Sequence, residues 1–278
     1  MKNLTFVVFS KDRPMQCEAL LESLRYFVTT DDVYYKVVLI SKETDETKKY
    51  YRKHCYGLVD DQLDDNGTKP FKQLVQEATK TSDYVSFLVD DIIWKGFVDL
   101  LEDEELKNFE QDKESLCFFF RLGTNIVGSF VEGRAYDRSE IPYINEHGRF
   151  NWKQGGGDWG YPMSLDGNVF RQTTIGPLID KLEFNNPNQL EAQLAIWANG
   201  IKHLLPDYCY CYKTQSKLLN IPCNRVQDEF PNKTLNKQSA GDLLELMKQD
   251  KMIDWKQYSG TRNTSPHWTV PYKFIDRK

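Results

Sequence analysis

The chain has 278 residues, 40% of them hydrophobic and 28% charged, with 36 Lys+Arg against 41 Asp+Glu and a net charge of −5. That length buries a sizeable core and allows one large domain or two small ones. The acidic balance argues against nucleic acid as a partner, because polyanion-binding chains carry a basic excess.

Residues 4–9 (Leu-Thr-Phe-Val-Val-Phe) predict a first buried strand, too short an apolar run for a secretory signal. After Asp12, read as an N-cap, and Pro14, apolar residues recur at Cys17, Leu20, Leu21, Leu24 and Phe27, the spacing of a helix with one buried face. Residues 37–40 predict a second strand. A charged helix then runs to about residue 54, acidic early and basic late. Thr68 and Pro70 open a helix with inner face Phe71, Leu74, Val75 and Ala78, and the apolar run 84–89 predicts a third strand at the centre of a parallel sheet. Strands alternating with helices at this spacing predict right-handed βαβ units and an open α/β sheet. Ligands of such sheets sit at the carboxyl ends of the strands.

The second half is less regular. Residues 117–122 and 163–170 predict strands, with a polar, Gly-rich stretch at 151–162 between them. Pro187 opens a helix carrying Leu190, Leu194, Ile196 and Trp197. Residues 239–252 predict another with Leu243, Leu244, Leu246 and Met247, and the last ~18 residues read as an extended tail. No repeat or linker divides the chain, so one domain is expected: about 1–94 for nucleotide binding, about 95–222 for acceptor and catalysis, and about 223–278 as C-terminal helix and tail. No run approaches the roughly 18–20 apolar residues of a membrane helix. The six cysteines include no CxxC pair, predicting free thiols and a cytoplasmic location.

The third strand ends in Asp90-Asp91. Two adjacent carboxylates at the ligand edge suit a hard divalent cation, Mn²⁺ or Mg²⁺, that shares its shell with phosphate oxygens and water. Turn or capping aspartates are the plainer reading. Context weighs against it: Ser10-Lys11-Asp12-Arg13-Pro14 follows the first strand, Leu21-Glu22-Ser23-Leu24 lies on the next helix, and residues 82–91 form an apolar strand ending in the Asp pair. In that order they resemble the GT-A glycosyltransferases, especially the inverting family two and its relatives. The resemblance covers residues 4–94 and extends more loosely to about 215.

It implies that Ser10, Lys11, Arg13 and Ser41 hold the nucleotide of a nucleotide-sugar donor, with uridine the favoured base. Asp90 would touch ribose or metal, and Asp91 would ligate the metal between the diphosphate oxygens. Lys72 could face the donor, although a solvated helix face is the stronger reading for it, and Arg225 could neutralise the leaving diphosphate, which ordinary surface charge accounts for equally well. His203 and His267 are candidate late ligands, since some relatives add a histidine to the metal site, while a lone histidine is more often structural. Glu191, near a helix start downstream of the metal motif, fits the place of the base that deprotonates the acceptor. Asp158 is its rival. It lies in Gly156-Gly157-Asp158-Trp159-Gly160-Tyr161, where glycines let backbone approach a ligand and aromatics stack on sugar rings.

The chain lacks the Gln-x-x-Arg-Trp motif of processive relatives, so a single addition is expected. The reading is an α/β GT-A fold that moves one sugar from a nucleotide-sugar donor to a glycan or glycoprotein acceptor, with inversion. A sugar nucleotidyltransferase is the first alternative, set back because the loop after the first strand has no glycine. A carbohydrate-binding protein on the same scaffold is the second.

Overall fold

A computed structural model describes residues 1, 3–29, 35–224, 238–268 and 270–277. Its centre is an eight-stranded, mostly parallel sheet built from β1 (Leu4–Lys11), β2 (Tyr35–Lys42), β3 (Asp61–Asp64), β4 (Tyr84–Val89), β5 (Ser115–Gly123), β6 (Arg149–Asn151), β7 (Asn168–Arg171) and β8 (Tyr208–Tyr212). The strand order is β6-β8-β5-β7-β4-β1-β2-β3. Strands β1, β2, β3 and β4 run parallel, as do β5 and β8, whereas β7 lies antiparallel between β4 and β5.

Alternation along β1 sends Leu4, Phe6 and Val8 to one face and Val7 and Phe9 to the other, and both faces are covered. One face packs against α1 (Pro14–Phe27), α2 (Asp45–His54), α4 (Glu104–Gln111) and α7 (Ala240–Lys248). The other packs against α3 (Phe71–Thr79), α5 (Gln172–Lys181) and α6 (Pro187–Gly200). With helices on both faces, the central strands read as continuous apolar runs, which is why β1, β2, β4 and β5 were legible in the sequence. No helix of the described residues is long and apolar enough to cross a membrane.

Several expectations are corrected. Asp12 does not cap α1. It sits at φ 51°, and its Oδ1 accepts from Thr44 N (2.8 Å) and Thr47 Oγ1 (2.9 Å), so it ties down the start of α2 instead. The strand expected over 163–170 begins only at Asn168, because Gly167 sits at φ 80° and turns the chain there. That turn is clasped by Gly167 N on Phe87 O (2.8 Å) and Phe120 N on Gly167 O (3.2 Å). Of the apolar residues carried by α6, Leu190 and Leu194 are buried while Ile196 is 64% exposed. The helix expected to reach residue 252 ends at Lys248. Asp250, at φ 55°, then turns the chain into Lys251–Ile253, which pairs with Phe274–Asp276 from the tail. The polar edge strand β3 had no apolar period to announce it.

Candidate active site

The carboxyl ends of β1, β2 and β4 meet beside α3 and the start of α6. A cavity of about 390 Å³ lies there, within the size range of small-ligand sites. Phe9, Ile40, Phe71 and Val89 give it an apolar lining, Lys11, Arg13, Lys42 and Asp65 supply charge, and residues 185–188 complete the wall. Lys11 and Lys42 are register partners at the ends of β1 and β2. Asp65 follows β3 and is fixed by Asp65 N on Ser41 O (2.7 Å). Burial raises the Asp65 carboxyl above its ordinary value, against the pull of Lys42 and Lys11.

Arg13 joins this cavity to the Asp pair. Its Nη1 reaches both Asp91 oxygens, at 2.9 and 3.0 Å, its Nε donates to Asp90 Oδ2 (3.1 Å), and its Nη2 pairs with Asp90 Oδ1. Ser10 Oγ also donates to Asp90 Oδ2 (2.7 Å), and Gln16 Nε2 to Asp91 Oδ1 (3.0 Å). Burial pushes the Asp91 carboxyl up to about 7, with Asp90 and Asp166 adding to the rise and Arg13 opposing it. Among the described residues no group of three or more His, Cys, Asp or Glu is arranged to hold a metal ion. Two carboxylates with a buried, unpartnered Gln16 Oε1 nearby are hard oxygen donors of the kind Mg²⁺ uses when substrate phosphates and water fill the rest of its shell. Arg13 engages both oxygens of each aspartate, so a cation would bind there only by displacing that guanidinium, as a diphosphate that draws Arg13 away would allow.

A second group of charges adjoins the first. The turn before β7 places Asp166 so that its Oδ2 lies 3.1 Å from His267 Nε2, while its Oδ1 accepts from Asn220 Nδ2 (3.2 Å). Burial alone would raise the Asp166 carboxyl, and His267, Arg121 and Asn220 outweigh it, leaving a depressed value. His267 is the mirror case. Burial lowers it, and the bond to Asp166 carries it above its ordinary value. The histidine arrives on the tail, where Asn220 N donates to Pro266 O (3.0 Å) and Trp268 N to Asn220 O (2.9 Å).

Glu191, on α6, faces the same turn, its Oε1 accepting weakly from Leu165 N (3.4 Å). Burial and then the Asp166 charge lift it to about 7, although Arg121 pulls the other way. Asp158 is placed differently. Its Oδ1 accepts from the buried Arg121 Nη1 (2.8 Å) and its Oδ2 from Tyr136 OH (2.7 Å), so both oxygens are engaged. Gly157, at φ 51°, makes room for the tyrosine, since a Cβ there would lie 2.4 Å from Tyr136 OH.

Of the residues singled out in the sequence, Ser10, Lys11 and Arg13 line the cavity, and Asp90, Asp91, Asp158, Glu191 and His267 belong to the linked charges beside it. Ser41 does not line the cavity. It is fully buried and donates to Glu43 Oε1 (2.6 Å). Lys72 points away and pairs with Glu183 (2.9 Å). His203 is exposed and joins no metal-binding group. Arg225 lies outside the described residues. Asp166, Asn220, Arg121 and Asp65 were not singled out, whereas Lys42 belongs to the loop predicted after the second strand, where ligands were expected. For Asp166 the signal was present, since Asp-Gly is a turn dipeptide, but the apolar residues around it read as strand.

No protein-family model matches the chain, and no curated protein matches it. Solved structures do. Staphylococcus aureus TarS in complex with UDP is 15% identical, with 78% of this chain and 60% of that one covered and a TM-score of 0.48. A mannosyltransferase from Pyrobaculum calidifontis, in complex with GDP-Man and Mn²⁺, is 11% identical over 77% of this chain and 55% of that one, TM-score 0.39. A cytidylyltransferase from Leptospira borgpetersenii is 10% identical over 96% and 91%, TM-score 0.44. The chain spans 37–60% of the length of the TarS structures.

Proposed function

We propose that the chain transfers one sugar from a nucleoside diphosphate sugar to a glycan acceptor, with inversion. The observation that carries this reading is the pairing of two adjoining parts at the strand ends. One is the cavity bordered by Lys11, Arg13 and Lys42. The other is a carboxylate group in which Glu191 titrates at about 7. Arg13 touches both parts, lining the cavity and binding Asp91.

The apolar lining suits a nucleoside, and the basic residues meet the diphosphate charge. Uridine is the base that the resemblance of the 10–13 loop implies. The donor sugar then lies toward Asp91 and Asp166. An acceptor hydroxyl attacks the anomeric carbon, its proton passes to Glu191, and the bond from that carbon to the diphosphate oxygen breaks, so the nucleoside diphosphate leaves with the electron pair. A base with a pKa near the working pH is the efficient choice. Asp158, with both oxygens occupied, holds Arg121 and the Gly-rich loop in place instead. Once the diphosphate draws Arg13 off them, Asp90 and Asp91 would hold a Mn²⁺ or Mg²⁺ ion, which would offset charge on the diphosphate when bound. The six cysteines are free and buried, in keeping with the reducing cytoplasm as the place of action.

The test is a thermal-shift series with UDP, GDP and ADP, followed by transfer assays on Glu191→Gln. The reading expects UDP to protect most. Glu191→Gln should keep that protection and lose about 10²–10⁴-fold in kcat. A Glu191→Gln protein with normal turnover contradicts the assignment of the base.

A further inference from the structure

A short strand, Leu218–Asn220, hangs on the segment that follows the Asp pair. It runs antiparallel to Ile92–Trp94, with Asn220 opposite Ile92, and Ile221 N donates to Asp91 O (2.8 Å). Leu218, Leu219 and Ile221 are fully buried, so the strand is held by packing as well as by its ladder. Leu218 also seats the turn that bears Asp166, since a Cβ on Gly167 would lie 2.3 Å from Leu218 Cδ2.

Asn220 ends that strand and is 5% exposed. Its Nδ2 donates to Asp166 Oδ1 (3.2 Å). Its backbone N–H donates to Pro266 O (3.0 Å), and its carbonyl accepts from Trp268 N (2.9 Å), so both residues flanking His267 are tied to it. His267 Nε2 meets the other Asp166 oxygen at 3.1 Å. These bonds close a ring from the Asn220 amide to Asp166, from Asp166 to His267, and from the backbone around His267 back to Asn220. The carboxylate only accepts, so the amide nitrogen must face it. Asp in the same volume has no proton to give when ionised, and Leu has no donor at all.

Asp166 borders the base in turn. Leu165 N, one residue earlier, donates to Glu191 Oε1 (3.4 Å). The charged groups that face Glu191 are Asp166 and Arg121, with the Tyr161 hydroxyl beside them, and those that face His267 are Asp166, Asp158 and Arg121. Catalytic groups are precise only where neighbours lock their rotamers, and Asn220 is the one residue bonded to the Asp166 carboxylate and to both flanks of His267 while its chain neighbour holds Asp91.

We propose that Asn220 is a positioning residue of the transfer reaction, holding Asp166 and His267 in register with the Asp91 strand end and so setting Glu191 against the diphosphate. This role rests on the glycosyl-transfer reading above, and Asn220 acts through Asp166 rather than on the substrate.

The test compares Asn220→Ala and Asn220→Asp in the full chain. Transfer kinetics, thermal protection by UDP and NMR titration of His267 are measured, the last assigned among the four histidines with His267→Gln. Asn220→Ala keeps the backbone bonds and removes only the side-chain donor. Its kcat should fall about 10–100-fold, with UDP protection kept and the pH inflection of kcat unmoved. Asn220→Asp turns a like charge toward Asp166. Its kcat should also fall, its inflection should move to higher pH, and His267 should titrate at higher pH, because an added carboxylate favours the imidazolium and disfavours a second carboxylate. A residue that merely completed the fold would lose UDP protection together with kcat and would show no dependence on the charge introduced. The proposal is overturned if Asn220→Ala turns over at the wild-type rate, if UDP protection falls in step with kcat, or if Asn220→Asp leaves the His267 titration where it is in the wild type. Absence of transfer by the wild type overturns the functional reading instead, and the His267 titration then still decides whether Asn220 governs the Asp166–His267 pair.

Discussion

Replacing Glu191 by Gln should make the protein more stable at pH 8 than the wild type, while crippling it as a catalyst. The Glu191 carboxyl titrates at about 7 in the fold because burial and Asp166 disfavour its charge. In the unfolded chain it titrates near its ordinary value of 4.5. Below that value both states are protonated and nothing is lost. As pH rises from 4.5 toward 7 the unfolded state gives up its proton while the folded state keeps it, so stability falls across this window and levels off above it. At about 1.36 kcal/mol per pH unit the full difference is ~3.4 kcal/mol, and because the side chain is partly exposed ~2 kcal/mol is a fairer figure. Gln has no proton to hold. Urea melts at pH 5 and pH 8 should show the wild type losing ~2 kcal/mol more than Glu191→Gln over that interval, or a Tm difference of about 3–4 °C. Asp91 titrates in the same range and weakens both proteins alike, so the comparison isolates Glu191. The catalytic counterpart is a wild-type kcat that rises with pH through about 7, as the base loses its proton. Parallel pH–stability curves for the two proteins would refute the electrostatic argument.

Other perturbations separate positioning from chemistry. Asp158→Ala strips the buried Arg121 of the aspartate it pairs with, so urea melts should show a loss of about 3–5 kcal/mol, whereas Asp158→Asn, which can still accept from Tyr136, should lose less. Arg13→Ala leaves Asp90 and Asp91 buried without their guanidinium. The stability deficit should grow as pH rises through the range in which Asp91 ionises, and millimolar Mn²⁺ should raise the Tm of this variant more than that of the wild type. Gly167→Ala forces a Cβ to within 2.3 Å of Leu218 Cδ2 at a backbone φ of 80°. Calorimetry should register a cost of about 1–3 kcal/mol, and transfer should fall as Asp166 shifts.

The first half of the fold was legible because its strands are buried on both faces and its helices carry one apolar stripe, so periodicity and burial agree. The Asp pair was legible for the same reason, standing where an apolar run stops. Legibility ends where tertiary contacts override local pattern. β6 and β7 have only three and four residues, and neighbours hold them rather than propensity. Asp166 was concealed by Met163, Leu165, Val169 and Phe170 around it, which imitate a strand until Gly167 turns the chain. Sequence left Glu191 and Asp158 as rivals, and the structure distinguishes them only in that both Asp158 oxygens are already bonded. His267 was a candidate in the sequence, but its partner Asp166 was not, because the tail runs beside Asn220, a neighbour 47 residues away that no local pattern encodes.

The measurement that bears most directly on the central claim follows the products. The protein is incubated with a UDP-hexose and a panel of glycan acceptors, with ³¹P NMR reading the nucleotide product and ¹H NMR the new anomeric centre. The account predicts UDP released in step with a glycoside of inverted configuration, and neither product from Glu191→Gln. A retained configuration, or pyrophosphate release from UTP and a sugar 1-phosphate in place of glycosyl transfer, would contradict it.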